Sequence, residues 1–161
     1  MQTIDELKNT LPQVGEVKWI GIRPERRAGL VAVDKVALDE QVGVVGDHYK
    51  GSSGNRQVTL IQAEHLEVVA SILSRDALHP GEVRRNIVVN GINLLALKDQ
   101  QFCIGEVVLA MTGHCHPCSR MEENLGPGGY NAMRGHGGIT AKVIKGGTIQ
   151  VGDSVQIKKI S

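Results

Sequence analysis

The sequence predicts a mainly β fold, a closed or partly closed barrel with a few short helices, and three observations carry that prediction. Twenty glycines stand against five prolines in 161 residues, which supplies many turns. Short apolar runs recur between those turn signals from residue 14 to residue 157. Aromatic residues make up only 2% of the chain, so Val, Ile and Leu must build the core. The length fits one domain over residues 1–161, with residues 1–13 as an N-terminal extension or short helix.

The elements follow in order. Thr3-Ile4-Asp5-Glu6 has the form of a capping box, and a short helix runs from it until Pro12 stops it. Residues 14–23 read as a strand, and residues 31–38 alternate as V-A-V-D-K-V-A-L and read as another. Residues 24–29 between them form a hairpin-type loop. A long loop spans residues 43–55, and loops of that length in a compact domain are often functional. Residues 56–62 are a strand that runs into a helix over 63–75, where Leu66, Val69, Ala70 and Leu73 share one buried face. Val68 and Ile72 widen that face, so the helix plugs or covers a sheet. Pro80 and Gly81 end the region. Strands follow near residues 83–89, 102–104, 107–112 and 139–145, and residues 147–157 read as strand, Gly-Asp turn, strand.

A net charge of +1 gives no general attraction to nucleic acid or to an anionic membrane, so anion recognition must come from locally placed arginines. No apolar stretch reaches transmembrane length, and the first six residues carry no signal-peptide character. Three cysteines are an odd number, which points to free thiols in a reducing cytosol. Cys103, between Phe102 and Ile104, reads as a small buried core residue.

Cys115 and Cys118 stand at C-x-x-C spacing in Thr112-Gly113-His114-Cys115-His116-Pro117-Cys118-Ser119-Arg120, after an apolar run and before loose glycine-rich backbone at 126–138. A dithiol oxidoreductase would place its motif early, in a βαβ unit, and this one lies late in a β-rich chain. Structural zinc needs four converging ligands, and this motif has no second cysteine pair. A single thiolate can instead serve as a soft metal ligand or carry sulfane sulfur, with His114, His116 and Arg120 assisting its charge. Two structural thiols in a turn remain the plain alternative.

Upstream, Pro80-Gly81-Glu82-Val83-Arg84-Arg85-Asn86-Ile87 sets two arginines and an asparagine at a strand start. Period-two alternation places Arg84 and Asn86 on one face, able to hold a phosphate or carboxylate, and Arg85 on the other. An ion pair between Arg85 and Glu82 is the structural alternative. His136 stands between Gly135 and Gly137, where backbone can approach a ligand closely, or where a tight turn precedes a strand. His48 reads as a turn residue, His65 as partly buried structure, and Arg26, Arg27 and Lys50 as surface charge. Neither a P-loop nor a strand-linked G-x-G-x-x-G is present.

Together these segments resemble the MOSC family, named for the C-terminal domain of molybdenum-cofactor sulfurase, as a stand-alone bacterial-type member. The resemblance runs from about Val14 to Ile160 through an ordered series: Gly46-Asp47-His48, Arg56-Gln57-Val58-Thr59-Leu60, the Arg84-Arg85-Asn86 element, Cys115-His116-Pro117-Cys118, Gly135-His136-Gly137-Gly138-Ile139 and the tail from Gly147. It implies a MOSC-type β-barrel that binds the molybdenum cofactor (molybdopterin), with Cys118 as the reactive thiol and molybdenum ligand. It implies that Arg84 and Asn86 hold the phosphate end of the pterin, with Arg56, Arg120 and His136 as further cofactor-binding candidates. At family level it also carries an association with pyridoxal phosphate. The implied reaction is two-electron reduction of an N-hydroxylated compound, with electrons from a separate donor protein. A persulfide carrier fed by a sulfur donor, and a non-catalytic cofactor-binding module, are the alternatives.

Overall fold

The computed structural model describes residues 1–25, 28–48 and 54–158. Arg26, Arg27 and Lys50, read above as surface charge, lie outside the described residues. The strands are β1 (Gly15–Ile22), β2 (Val31–Val33), β3 (Lys35–Asp39), β4 (Gly43–Val44), β5 (Val58–Gln62), β6 (Ile87–Asn90), β7 (Gln101–Ile104), β8 (Val107–His114), β9 (Ile139–Lys145), β10 (Gly147–Gln150) and β11 (Ser154–Ile157). The helices are α1 (Ile4–Lys8), α2 (Ala63–Ile72), α3 (Ser119–Leu125) and α4 (Gly129–Met133), with 3-10 turns at Pro80–Val83 and Leu94–Leu97. No helix among the described residues is long and apolar enough to cross a membrane.

Seven strands close into a barrel in the order β11-β7-β8-β9-β5-β6-β1 and back to β11, with β2 attached to β1 outside the ring. β5 and β6 run parallel, because α2 carries the chain back between them. A second sheet, β10-β3-β4, packs beside the barrel. Alternation decides which side chains fill it. Leu60, Ile87 and Val89 point into the barrel core with Phe102, Leu109 and Ile139. Ile61 and Val88 point outward, where Leu66, Val69 and Ala70 of α2 cover them together with Met121 and Met133. The helix therefore covers the barrel wall and does not plug it. Gln57 ties the two sheets together: its amide donates to the Glu40 and Gln41 carbonyls at 3.0 and 3.2 Å and accepts from the Val143 N–H at 2.8 Å.

The capping box at Thr3 and Glu6 forms as expected, with both reciprocal hydrogen bonds at 3.1 Å. Elsewhere the structure departs from the sequence pattern for local reasons. The alternating run 31–38 is two strands, because the Asp34 carbonyl accepts from Val151 and the chain passes there from the barrel to the second sheet. Helix α2 stops short of residue 75 at a left-handed Ser74 (φ 56°), with the Arg75 N–H returning to the Ala70 carbonyl at 2.9 Å and the Ser74 N–H to the Ser71 carbonyl at 3.1 Å. This is a Schellman ending built without glycine. Val68 and Ile72 are exposed and do not widen the buried face. Cys103 is half-exposed, since its neighbours Phe102 and Ile104 take the inward positions on β7. The glycine-rich segment is not loose throughout. Glu122 accepts from the Gly128 and Tyr130 N–H groups at 3.0 Å each and so starts α4.

Residues 80–86 are the largest correction. Pro80 opens a 3-10 turn, with His79 and Glu82 forming a capping box around it, and Arg84 adopts a left-handed conformation (φ 60°). The strand starts only at Ile87, so period-two alternation does not apply to Arg84, Arg85 and Asn86. Glu82 pairs with Arg75, its oxygens 2.9 and 3.0 Å from the guanidinium, and not with Arg85.

At the head of β9, Gly138 has φ +86°, and a Cβ there would lie 1.9 Å from the Leu60 carbonyl oxygen. Substitution Gly138→Ala forces apart the β5–β9 contact and strains the backbone. We expect it to lower unfolding free energy by about 3 kcal/mol or more, measured by urea denaturation; a loss below about 1 kcal/mol would show that this approach is not fixed.

Candidate functional site

The site forms at the end of the barrel where β1 and β8 finish and β6 and β9 begin. Beyond His114 the chain crosses this end as a strap, residues 115–118, and then turns into α3 with Cys118 as its N-cap. Cys115 is buried (3% exposed), whereas Cys118 is exposed. The Cys115 N–H donates to the Gly138 carbonyl at 2.9 Å, which fixes the start of the strap to β9.

Arg85 fixes the strap from beneath. Its side chain is buried (5% exposed), and its guanidinium donates to the carbonyls of Gly137 (2.8 Å), Val83 (2.9 Å) and Cys115 (3.1 Å). Burial pushes its pKa down. The thiols of Cys115 and Cys118 oppose that shift, while Arg56 and Arg23 add to it. The fit also explains Gly137, because a Cβ there would meet the Cys115 carbonyl oxygen at 2.1 Å. Thus the Gly137-Gly138 pair allows close approach of protein backbone to protein backbone, at Cys115 and Leu60.

Above the strap the arginines gather. Arg84 is half-buried, and its pKa is lowered by burial first and then by Arg23 and Arg120, while Cys118 and Asp47 raise it. That places Arg84 within electrostatic reach of the exposed thiol and of two further guanidinium groups. Arg56 reaches toward Cys115, its Nη2 4.0 Å from the sulfur. Arg120 is exposed in the first turn of α3. Arg23 is neutralised by a bidentate pair with the buried Asp47 side chain at 3.1 and 2.9 Å. Among the described residues no carboxylate pairs with Arg56, Arg84, Arg85 or Arg120. Such a surplus of unpaired cations around one thiol suits an anionic ligand.

Of the residues singled out in the sequence, the structure brings Cys118, Arg84 and Arg120 together, and places Arg56 beside Cys115. Asn86 stands apart from them. It is 1% exposed; its oxygen accepts from the Thr59 N–H (3.3 Å) and hydroxyl (3.1 Å), and its amide donates to the Gly21 carbonyl (3.1 Å). The side chain thus joins β1, β5 and β6, with its oxygen accepting two bonds and one amide hydrogen donated to Gly21. His136 turns to α4, its Nδ1 3.3 Å from the Ala132 carbonyl, and packs edge-on against His65. Arg85 and Arg23 are the members that sequence pattern missed. The Arg-Arg pair was visible, but its orientation depended on the left-handed Arg84, for which no glycine or asparagine gave warning.

Comparison with known proteins agrees with this architecture. The family model described as MOSC domain matches residues 40–156. The fold is similar to the YuaD protein from Bacillus subtilis (TM-score 0.79, 16% identity, covering 94% of this chain and 100% of that one). It is also similar to YiiM from Geobacillus stearothermophilus (TM-score 0.73, 17% identity, 90% and 75% covered). YiiM from Escherichia coli is a further match (TM-score 0.69, 16% identity, 91% and 71% covered). No curated protein matches the sequence.

If Arg85 holds the strap, Arg85→Met, which keeps volume but removes the donors, leaves three buried carbonyls short of a partner. We expect a loss of about 3 kcal/mol in urea unfolding. Under native conditions, alkylation followed by peptide mapping should show Cys115 reacting at a rate approaching that of Cys118. A variant with Cys115 as protected as in the parent would show that the strap is held by other contacts.

Proposed function

The chain belongs to the MOSC domain family, and from that premise we propose that it binds the molybdenum cofactor at the barrel end and reduces N-hydroxylated compounds there. One observation carries the reading: an exposed thiol, Cys118, stands within electrostatic reach of Arg84, which no carboxylate pairs among the described residues. The donor set fits such a group. The described residues contain no cluster of three or more His, Cys, Asp or Glu able to hold a metal on its own. A lone soft thiolate with basic surroundings therefore matches a metal that arrives with its own sulfur ligands and an anionic tail.

In this reading Cys118 is the protein's ligand to molybdenum. Arg84 and Arg120, with Arg56 from beside Cys115, would hold the phosphate end of the pterin through charge-assisted hydrogen bonds. Arg85 fixes the strap so that the thiol keeps one position, and Asn86 fixes the start of β6, which follows the turn that carries Arg84. His136 takes a place in the framework through α4. The bound group would supply two-electron chemistry: an N-hydroxylated compound, two electrons and two protons give the amine and water. The electrons come from a separate donor protein, and a reducing cytosol keeps Cys118 available. The exposure of Cys118 also suits a persulfide carrier, which would take sulfane sulfur from a donor and pass it on.

Protein made in a host that synthesises the cofactor separates these readings by metal analysis and pterin binding. We expect Cys118→Ala to fold and to lose at least about tenfold in molybdenum content. Arg84→Ala should keep its thiol reactivity and bind the pterin about tenfold more weakly, the loss of roughly one charge-assisted contact. Unchanged molybdenum in Cys118→Ala removes that thiol from the ligand role. Sulfane sulfur on Cys118 without molybdenum favours the carrier.

A further inference from the structure

Strand register sets two arginines at one level of the barrel end. β1 and β6 pair antiparallel, with Trp19 opposite Val88 and Ile20 opposite Ile87. The pairing continues by one step, where the Gly21 N–H donates to the Asn86 carbonyl at 2.7 Å and the Asn86 amide returns to the Gly21 carbonyl at 3.1 Å. Carried past the strand ends, the same register sets Arg23 across from Arg84. The Arg84 guanidinium lies 3.5 Å from the Ala28 carbonyl, in the connection that follows Arg23.

Arg23 is held rigidly, and along one edge only. The loop after β4 delivers Asp47, whose side chain is 1% exposed against 20% for that of Arg23. Asp47 Oδ1 accepts from the Arg23 backbone N–H at 2.6 Å and from Nε at 3.1 Å, and Oδ2 accepts from Nη2 at 2.9 Å. The His48 N–H closes the contact on the Arg23 carbonyl at 2.8 Å. A guanidinium carries five N–H donors in one plane, and the carboxylate takes only the Nε–Nη2 edge. Among the described residues, the Nη1–Nη2 edge makes no hydrogen bond. Burial, then Arg23 and then Arg120 lower the Arg84 pKa, so the like charges repel where they stand.

We infer that Arg23 is a further anion-binding residue, which Asp47 holds by one edge so that the other, together with Arg84, grips the terminal oxygens of a phosphate monoester. The number of donors favours that class. One guanidinium edge satisfies a planar carboxylate, whereas a phosphate monoester has three terminal oxygens and engages two guanidinium groups at once. Its charge of nearly −2 at neutral pH also matches two cations. Asp47 is the positioning residue: it fixes the plane of Arg23 and offsets part of the repulsion before the anion arrives. The inference rests on the reading that the barrel end takes a phosphate-bearing ligand, and it assigns that phosphate a second arginine from β1's end.

The test uses the 161-residue chain, nitrogen-labelled and free of molybdenum, titrated separately with methyl phosphate, inorganic phosphate and acetate. Two-dimensional NMR follows the arginine side-chain N–H signals. We expect methyl phosphate to shift the signals of both Arg23 and Arg84 saturably, to bind at least as tightly as inorganic phosphate, and to bind about fivefold or more tighter than acetate. Arg23→Lys keeps the charge and loses the planar fork, and should weaken methyl phosphate about fivefold or more. Unmoved backbone signals at Thr59 and Asn86 show that this variant keeps its fold; if it does not, the parent titration still decides. Methyl phosphate that shifts Arg84 but not Arg23, or that binds Arg23→Lys as tightly as the parent, overturns the inference and leaves the Arg23–Asp47 pair as a loop anchor. Equal binding of acetate, binding of inorganic phosphate alone, or no saturable shift overturns the phosphate-monoester class. The molybdenum content of Cys118→Ala decides the thiol's role separately, so failure of the Arg23 clamp and failure of the ligand reading are distinct results.

Discussion

The organisation of the barrel end depends on one buried guanidinium. Arg85 joins the 3-10 turn before β6, the glycine segment before β9 and the strap after β8 through three carbonyl hydrogen bonds. No uncharged side chain presents enough donors in a plane to do this. Desolvating the charge is unfavourable, and charge-assisted bonds to three aligned carbonyls offset it. A second layer supports the first. Asn86 bonds to Thr59 and Gly21, so the strands that flank Arg85 keep their register at the barrel end. The glycines opposite are small because Cys115 and Leu60 carbonyls occupy the space a side chain would need.

That anchoring divides the surroundings of the strap by charge. One region holds Arg84 and Arg120 about Cys118, with Asp47 committed to Arg23. The other holds imidazoles, leucines, Gln62 and glycine backbone; no charged side chain lines it, and Arg85 bonds to the Cys115 and Gly137 carbonyls behind it. Cys115 and Cys118 illustrate the division. They lie three positions apart, yet one thiol is buried and the other exposed.

Much of the fold was legible because the signals that define it are local. Alternation in residues 139–145 and 147–157, and the capping box at Thr3, need only neighbours in sequence. Two of the misreadings share one feature: a backbone turn made without its usual residue. Ser74 ends α2 where glycine is expected, and Arg84 adopts a left-handed conformation between a 3-10 turn and a strand. The Asp34 break has a different origin, since it exists only because two sheets meet there.

By itself, the sequence determined the family, the strand content and the identity of the chemically capable groups: a C-x-x-C pair late in a β-rich chain, an Arg-Arg-Asn element and a glycine segment. Tertiary structure alone decided how those groups divide their roles. Which thiol meets solvent, which arginine anchors backbone and which stands half-buried near the exposed thiol, and that Asn86 joins three strands, follow from contacts between segments 30 to 65 residues apart. No periodicity encodes such contacts. They appear only once barrel closure brings the ends of β1 and β8 against the starts of β6 and β9.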